Sequence, residues 1–229
     1  MWPRRSAPAP TANRRGNNSG LAELCTGFVM LLEDIKRHTE KLTGVGRPSA
    51  HQAQALVRER KANAYCFHDD GLTPNNPGWP LIHYRGVVRL DEAFDPAAIF
   101  EVLFDSHGWR DGWRDGIYDF LHYHSSTHEV LGIARGWAKV RFGGARGRNL
   151  MLKAGDVIVQ PAGTGHQRIA SSRDLLVVGA YPAGSDYDEC HPRKGDHDRA
   201  LRAIAKTPAP RTDPVYGAKG PLKQLWRSR

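Results

Sequence analysis

The chain has 229 residues, 40% apolar and 25% charged, which is enough for one domain of about 150 residues with extensions. Its net charge is +9, but residues 1–61 carry 11 Lys and Arg against five acids, so the basic excess lies mainly in an N-terminal leader. A nucleic-acid-binding domain concentrates basic residues on a folded surface, so no nucleic-acid partner is expected.

The cysteines, Cys25, Cys66 and Cys190, show no close pairing, which excludes a disulfide framework and a zinc knuckle. Free thiols are typical of a reducing compartment, and we expect the protein in the cytoplasm. No apolar run approaches the roughly 20 residues of a membrane span, so no membrane partner is expected. The lack of acids before Glu23 leaves an organelle transit peptide as an alternative.

The leader, residues 1–61, is expected to be partly disordered, because residues 1–20 are rich in Pro, Ala, Arg, Asn and Ser. Residues 21–42 and 52–64 have a weak helical periodicity and predict helices. After them, Asp95-Pro96 predicts a capped helix start.

The tandem repeat Gly-Trp-Arg-Asp at residues 108–115 predicts a loop. Short strands separated by glycine-bearing turns follow it. The predicted strands are 118–124, 129–134, 138–142, 149–153, 157–160, 166–170 and 174–180. This series is typical of an antiparallel jelly roll, so we expect an all-β barrel domain at residues 62–190. Residues 191–229 predict a C-terminal helix and a wrapping tail, with Leu222, Leu225 and Trp226 as its anchor.

Two clusters inside the barrel carry candidate metal ligands. His122 and His124 are two residues apart, so in a strand they project from the same face. A hairpin through residues 125–127 would set Glu129 beside them, and His166 follows a tight loop further on. Imidazole and carboxylate are good ligands for Fe, Mn, Ni, Cu or Zn, and the sequence does not choose among these metals.

The spacing of these residues resembles the two motifs of the cupin superfamily. The first motif, with its Gly, His-x-His, Glu and final Gly, is met by Gly116, His122, His124, Glu129 and Gly136. The second motif is met by Gly155, Pro161, Gly163 and His166. Ala170 stands where the family has Asn, a departure that leaves the metal-bearing positions intact.

This resemblance implies a double-stranded β-helix with His122, His124, Glu129 and His166 as metal ligands on the inside. Residues 65–226 are similar to a smaller group, the uncharacterised bacterial YjlB-like cupins. The narrower likeness is carried by Asp70 and residues 74–77, 120–132, 161–166 and 177–182. It implies a fold and a site rather than a substrate, and a homodimer is expected from the resemblance alone.

Some neighbouring residues allow two interpretations. In a regular strand His128 faces away from Glu129, so it either supports the ligands from outside the metal's contacts or lies on the surface. A bulge would instead make His128 the ligand in place of Glu129. Tyr118 and Phe120 share the parity of His122 and line either the pocket or the core. Trp113 is a further candidate pocket residue, and its alternative role is to cap the end of the barrel. Arg168 is another, and its alternative is to point to solvent.

Three imidazoles and one carboxylate leave a divalent ion with a formal charge of +1, and an octahedral ion would keep about two exchangeable positions. We therefore expect a metal-dependent enzyme that acts on a small organic molecule coordinated to the ion, as an oxygenase, isomerase or lyase. The sequence identifies no catalytic residue beyond the ligands. A non-catalytic small-ligand or sensor protein is the alternative, and a DNA-associated regulator ranks third, because fold alone does not determine chemistry.

Overall fold

Short runs of alternating side chains form nine strands in residues 45–227, the part of the chain that this computed structural model describes. The strands are β1 (Ala62–Tyr65), β2 (Leu81–Tyr84), β3 (Trp109–Asp115), β4 (Glu129–Arg135), β5 (Trp137–Phe142), β6 (Arg148–Lys153), β7 (Val157–Gln160), β8 (His166–Ser171) and β9 (Leu176–Pro182). The helices of these residues are α1 (Ala50–Ala55), α2 (Pro96–Ser106), α3 (Lys194–Lys206) and α4 (Leu222–Leu225).

The strands form two antiparallel sheets. The larger sheet has the order β1-β2-β7-β4-β9-β3, and the smaller has the order β6-β5-β8. Neighbours that are distant in sequence, such as β4 beside β9, are typical of a jelly roll. The prediction of an all-β jelly roll with a few flanking helices is therefore confirmed, while the predicted disorder at residues 1–20 and the helix at 21–42 lie outside the described residues.

Strand parity divides the buried side chains of the larger sheet between two cores. On β4, Leu131 and Ile133 face the interior between the two sheets, whereas Val130 and Ala134 pack on the opposite face, toward α2. Both faces are covered, so β4 is buried along nearly its whole length. Glu129 has the parity of Leu131 and so points into the barrel.

The tandem repeat at residues 108–115 forms strand β3 rather than the predicted loop. A β-bulge shifts the register between Arg110 and Trp113, and Asp111 there has a left-handed backbone with φ of 53°. Trp109 consequently packs in the core beside α2, while Trp113 packs against the barrel interior. The loop prediction was wrong because a β-bulge interrupts the alternation of inward and outward side chains. The repeated tetrapeptide therefore does not show the pattern of a regular strand.

Helices α1 and α2 cover the outer face of the larger sheet. Asp95 caps α2 by accepting a hydrogen bond from the Ala97 amide at 3.1 Å, as predicted from Asp95-Pro96. The helix predicted at 52–64 is instead the short α1, followed by strand β1. Ala53 of α1 packs in the core with α2, so residues from 45 onward of the predicted leader are part of the folded domain.

The C-terminal tail folds back onto this outer core. Leu222 and Trp226 are buried, and the Trp226 indole donates a hydrogen bond to the Pro80 carbonyl at 2.9 Å. Leu225, the third predicted anchor, is instead 37% exposed, because α4 turns it outward. Among the helices of residues 45–227, none is both long and apolar enough to cross a membrane.

Candidate metal centre

The segment before β4 is held against the start of β8, which brings the two histidine clusters together. His122 and His166 form an antiparallel bridge, with N–O distances of 3.2 and 2.9 Å. The His124 carbonyl accepts a hydrogen bond from the Gly163 amide at 2.7 Å. Residues 118–124 thus make isolated bridges at His122 and Tyr123 and not the regular strand predicted for them.

One ring nitrogen each of His122, His124 and His166 lies within 4.8 Å of the others, and all three residues are buried. Glu129 completes the group, because its Oε2 lies 3.5 Å from Nε2 of His124 and 3.5 Å from Nε2 of His166. The structure therefore brings together the four residues that the motifs single out as ligands.

Backbone carbonyls fix the orientation of the three imidazoles. Each ring has its Nδ1 beside a carbonyl oxygen: that of Phe120 for His122 at 3.2 Å, of Asp188 for His124, and of Thr164 for His166 at 3.3 Å. A proton on Nδ1 donates to that carbonyl, so the Nε2 lone pair is left for a ligand. This arrangement is the usual support of a metal-binding histidine.

The electrostatics of the group favour the donor forms. Burial, together with the neighbouring His122, lowers the pKa of His166 to about 3. Burial also lowers the pKa of His122. For Glu129, burial acts to raise the pKa, but His124 and the other imidazoles outweigh it and bring it to about 2. Near neutral pH His122 and His166 are therefore neutral donors, and Glu129 is an ionised carboxylate.

His124 differs from the other two histidines. Burial acts to lower its pKa, but the Glu129 carboxylate and Asp188 together raise the pKa above its usual value. The Glu129 carboxylate thus stabilises a positive charge beside it, which a bound divalent ion would supply in place of the proton on His124. Three nitrogen donors and one carboxylate around a buried point fit a first-row divalent ion.

Gln160 is a further polar group in this cluster, and the sequence reasoning missed it. It is the cross-strand partner of Glu129, and its Nε2 lies 2.5 Å from Glu129 Oε2 and 3.3 Å from His166 Nε2. The amide Oε1 has no hydrogen-bond partner among the described residues, although Gln160 is buried. Gln160 directly precedes Pro161 and lies two residues after the inward-facing Ile158, so its inward orientation could have been predicted from the sequence.

His128 lies apart from the cluster. Its Nε2 donates to the Pro208 carbonyl at 3.0 Å, and its Nδ1 accepts from the Ala162 amide at 2.9 Å, so both ring nitrogens are engaged. Its ring packs against Trp79 and Trp226 on the outer face of the sheet. The regular strand of β4 keeps Glu129 inward, and no bulge places His128 there instead.

A cavity of about 200 Å³ opens above the four residues. Of the predicted pocket residues, Trp113 and Tyr118 line it. Phe120 lies outside the lining and stacks on Tyr118, with ring centroids 4.7 Å apart. Arg168 also lies outside, because its Nε donates to the Ile117 carbonyl at 2.7 Å.

Tyr181 and Tyr187 line the cavity as well, and neither was predicted. The Tyr181 hydroxyl oxygen accepts a hydrogen bond from Trp113 Nε1 at 2.9 Å, and its own proton is directed to the side of Glu129. Burial and the Glu129 carboxylate raise the pKa of Tyr181, so the phenol stays protonated. Gly179 makes room for this pair, because a Cβ there would lie 2.1 Å from the Trp113 indole.

The loop that carries Tyr187 is tied to the histidine segment by Asp188. The Asp188 carboxylate accepts hydrogen bonds from the Ser125 amide at 2.8 Å, the Ser125 hydroxyl at 2.6 Å and the Ser126 amide at 3.1 Å. The adjacent Asp188 carbonyl faces His124. One residue therefore anchors the loop and orients a candidate ligand.

Comparison with known proteins identifies a relative over most of the chain. The chain is 37% identical over 168 residues to the protein YjlB of Bacillus subtilis, an alignment that covers 73% of this chain and 98% of YjlB. No family model matches the chain.

Solved structures align only with parts of the chain. Acireductone dioxygenase from Bacillus anthracis, with a cadmium ion in its active centre, is 16% identical, and the alignment covers 37% of this chain and 58% of that one, with a TM-score of 0.28. A point mutant of Bacillus subtilis oxalate decarboxylase OxdC is 18% identical, with coverages of 50% and 28% and a TM-score of 0.30. The 11S globulin from Wrightia tinctoria is 11% identical, with coverages of 35% and 22% and a TM-score of 0.29.

Proposed function

We propose that this chain, which belongs to the family of the Bacillus subtilis protein YjlB, is a metal-dependent cupin. It binds one divalent transition-metal ion through His122, His124, Glu129 and His166 and acts on a small organic molecule held at that ion. The observation that carries this proposal is the set of three buried imidazoles, each with Nδ1 beside a backbone carbonyl, gathered with the Glu129 carboxylate around one point.

The bound ion would supply Lewis acidity, or oxygen activation in the case of a redox metal, at the base of the cavity. The protein's part follows from its own residues. Backbone carbonyls hold the rings in their donor tautomers, and the ligand side chains are buried, so solvent reaches them through the cavity. The Tyr181 hydroxyl, held by Trp113, keeps a proton at the cavity wall beside Glu129. These features support an oxygenase, isomerase or lyase reaction.

Metal content tests this proposal directly. Plasma mass spectrometry of the purified wild-type protein should find about one Fe, Mn, Ni, Cu or Zn ion per chain. The variants His122→Ala and His166→Ala should lose most of it, because each removes one of a small number of ligands. His51→Ala is the matched control, since His51 is exposed on α1, and it should keep the wild-type content.

Circular dichroism of each variant separates loss of metal from loss of fold. Wild-type protein that contains no metal and takes up none on reconstitution would overturn the metal proposal. The cavity would then be assigned to binding of a small ligand without turnover.

A further inference from the structure

The walls of the cavity above the metal centre are mainly aromatic and apolar. Beside the four candidate ligands, the rings and aliphatic side chains of its lining belong to Trp113, Ile117, Tyr118, Leu131, Tyr181 and Tyr187. Aromatic faces interact favourably with other flat rings, beyond the contribution of buried area alone. The lining is therefore complementary to an aromatic compound.

The same lining offers no free positive charge among the described residues. Arg114 is its cation, and its guanidinium donates to Glu101 at 2.5 Å and to Asp95 at 2.5 Å. Enzymes that hold a carboxylate or phosphate usually place an unpaired Arg or Lys against it. Here a small dianion would meet only the formal +1 charge of the occupied centre, and the lining also contains the acidic Asp115.

Two tyrosines stand where the cavity opens to solvent. Tyr187 is 54% exposed, and its ring centroid lies 5.0 Å from that of His124 and 5.3 Å from that of Tyr181. Tyr118 is 47% exposed, and its ring lies 5.1 Å from that of His122. Each ring thus reaches from the solvent to a candidate metal ligand, which places an aromatic surface along the path to the centre.

The size of the cavity limits the ligand. Its volume of about 200 Å³ is below the range of roughly 300–1,000 Å³ that is typical of sites for drug-sized molecules. A single six-membered ring with small substituents is compatible with this volume, whereas a fused polycyclic compound would extend beyond the walls.

We propose that the cavity binds a single-ring aromatic compound with one or two oxygen donors, its ring against Tyr118 and Tyr187 and its oxygens toward His122, His124 and His166. This inference rests on the proposed function, because the oxygens are held by the metal. A phenol that releases one proton to bulk water on binding carries one negative charge, which balances the formal +1 of the centre.

Isothermal titration calorimetry of the full chain reconstituted with Zn²⁺ tests the inference. Zinc is redox-inert, so the probe is not consumed during the titration. The aromatic probe is 4-nitrocatechol, and oxalate is the non-aromatic chelator of similar reach. The wild type should bind 4-nitrocatechol more tightly than oxalate.

Tyr187→Leu removes one ring face and should weaken 4-nitrocatechol binding about fivefold while it changes the Kd of oxalate less than about twofold. Tyr118→Leu should act in the same direction. Trp137→Leu is the matched control, since Trp137 is an exposed aromatic residue outside the cavity lining. It should leave both affinities unchanged.

Zinc content is measured for every preparation, so failure of the two proposals can be told apart. Wild-type protein that holds no zinc contradicts the proposed function itself. Three results with zinc-loaded protein overturn the aromatic-ligand inference alone. The wild type prefers oxalate, the wild type binds neither probe, or the wild type and Tyr187→Leu bind 4-nitrocatechol with the same affinity.

Discussion

Individual hydrogen bonds orient the candidate ligands toward the position that a metal would occupy. Each imidazole places Nδ1 beside a main-chain carbonyl, so the orientation of each ring depends on the position of the backbone. Glu129 instead depends on a side chain, the amide of Gln160, which donates to its Oε2. Gln160 is thus the residue through which the carboxylate ligand can be altered without removing any ligand.

Replacing Gln160 by Leu should weaken metal binding about tenfold, because Glu129 loses the donor that orients it. Competition against a chromophoric chelator gives the affinity. The control is Gln167→Leu, since Gln167 donates to the Asp119 carbonyl at 2.7 Å away from the cluster, and its affinity should match the wild type. An affinity of Gln160→Leu within twofold of the wild type would show that the amide does not position Glu129.

At the scale of elements, alternation along strands determined what the sequence could predict. The inward Glu129 and the strand at 157–160 follow from local parity, and the structure places them as expected. His122 and His124 also lie together, although isolated bridges replace the strand predicted for them. Tyr181 and Tyr187 could not be found in this way. The place of Tyr181 depends on β9 lying between β4 and β3, and on the bulge at Asp111 that turns Trp113 toward it. That of Tyr187 depends on the loop that Asp188 ties to the histidine segment.

Helix α2 is joined to strand β3 by an ion-pair network. Glu101 of α2 accepts hydrogen bonds from Arg114 of β3 and from Arg47, and Arg114 also binds Asp95 at the start of the helix. Burial acts to raise the pKa of Glu101, but the guanidinium groups of Arg114 and Arg47 outweigh it and lower the pKa below its usual value. The network therefore fixes the edge strand that carries Trp113.

The variant Glu101→Gln should be about 1 kcal/mol less stable than the wild type near neutral pH. Because the folded-state pKa of Glu101 lies below its unfolded value, its contribution is present above the unfolded pKa and is lost as the pH falls through the folded one. The stability difference should therefore shrink below about pH 4. Urea unfolding at several pH values measures it, with the exposed Glu92→Gln as control; a difference that stays constant with pH would contradict the assignment.

At the scale of the whole molecule, two cores share the larger sheet. The core between the sheets surrounds the candidate centre, and the outer core joins α1, α2 and the C-terminal tail. The tail meets the sheet behind Glu129, where Trp226 stacks on Trp79 and contacts the ring of His128. The back of the strand that carries a candidate ligand is therefore formed by the chain's last segment.

Trp226→Ala should destabilise the fold by about 3–5 kcal/mol, because it leaves a cavity between Trp79 and His128 and an unpaired Pro80 carbonyl. Unfolding by urea, followed by fluorescence and circular dichroism together, measures the change. Leu225→Ala, at the partly exposed neighbour, should cost about 0.5 kcal/mol or less. Equal stabilities for the two variants would show that the tail does not belong to the outer core.

The return of the tail to the sheet also bears on biosynthesis. Asp213, which is fully buried, accepts hydrogen bonds from the Tyr84 hydroxyl and from the Val215, Tyr216 and Leu222 amides, so it joins an early strand to the end of the chain. A nascent chain that has reached β9 already contains every candidate ligand, but it lacks this partner for Tyr84 and the cover over Trp79. The outer core is therefore completed only after translation has passed Trp226, and until then the part of it beside Tyr84 and Trp79 is accessible to chaperones and proteases.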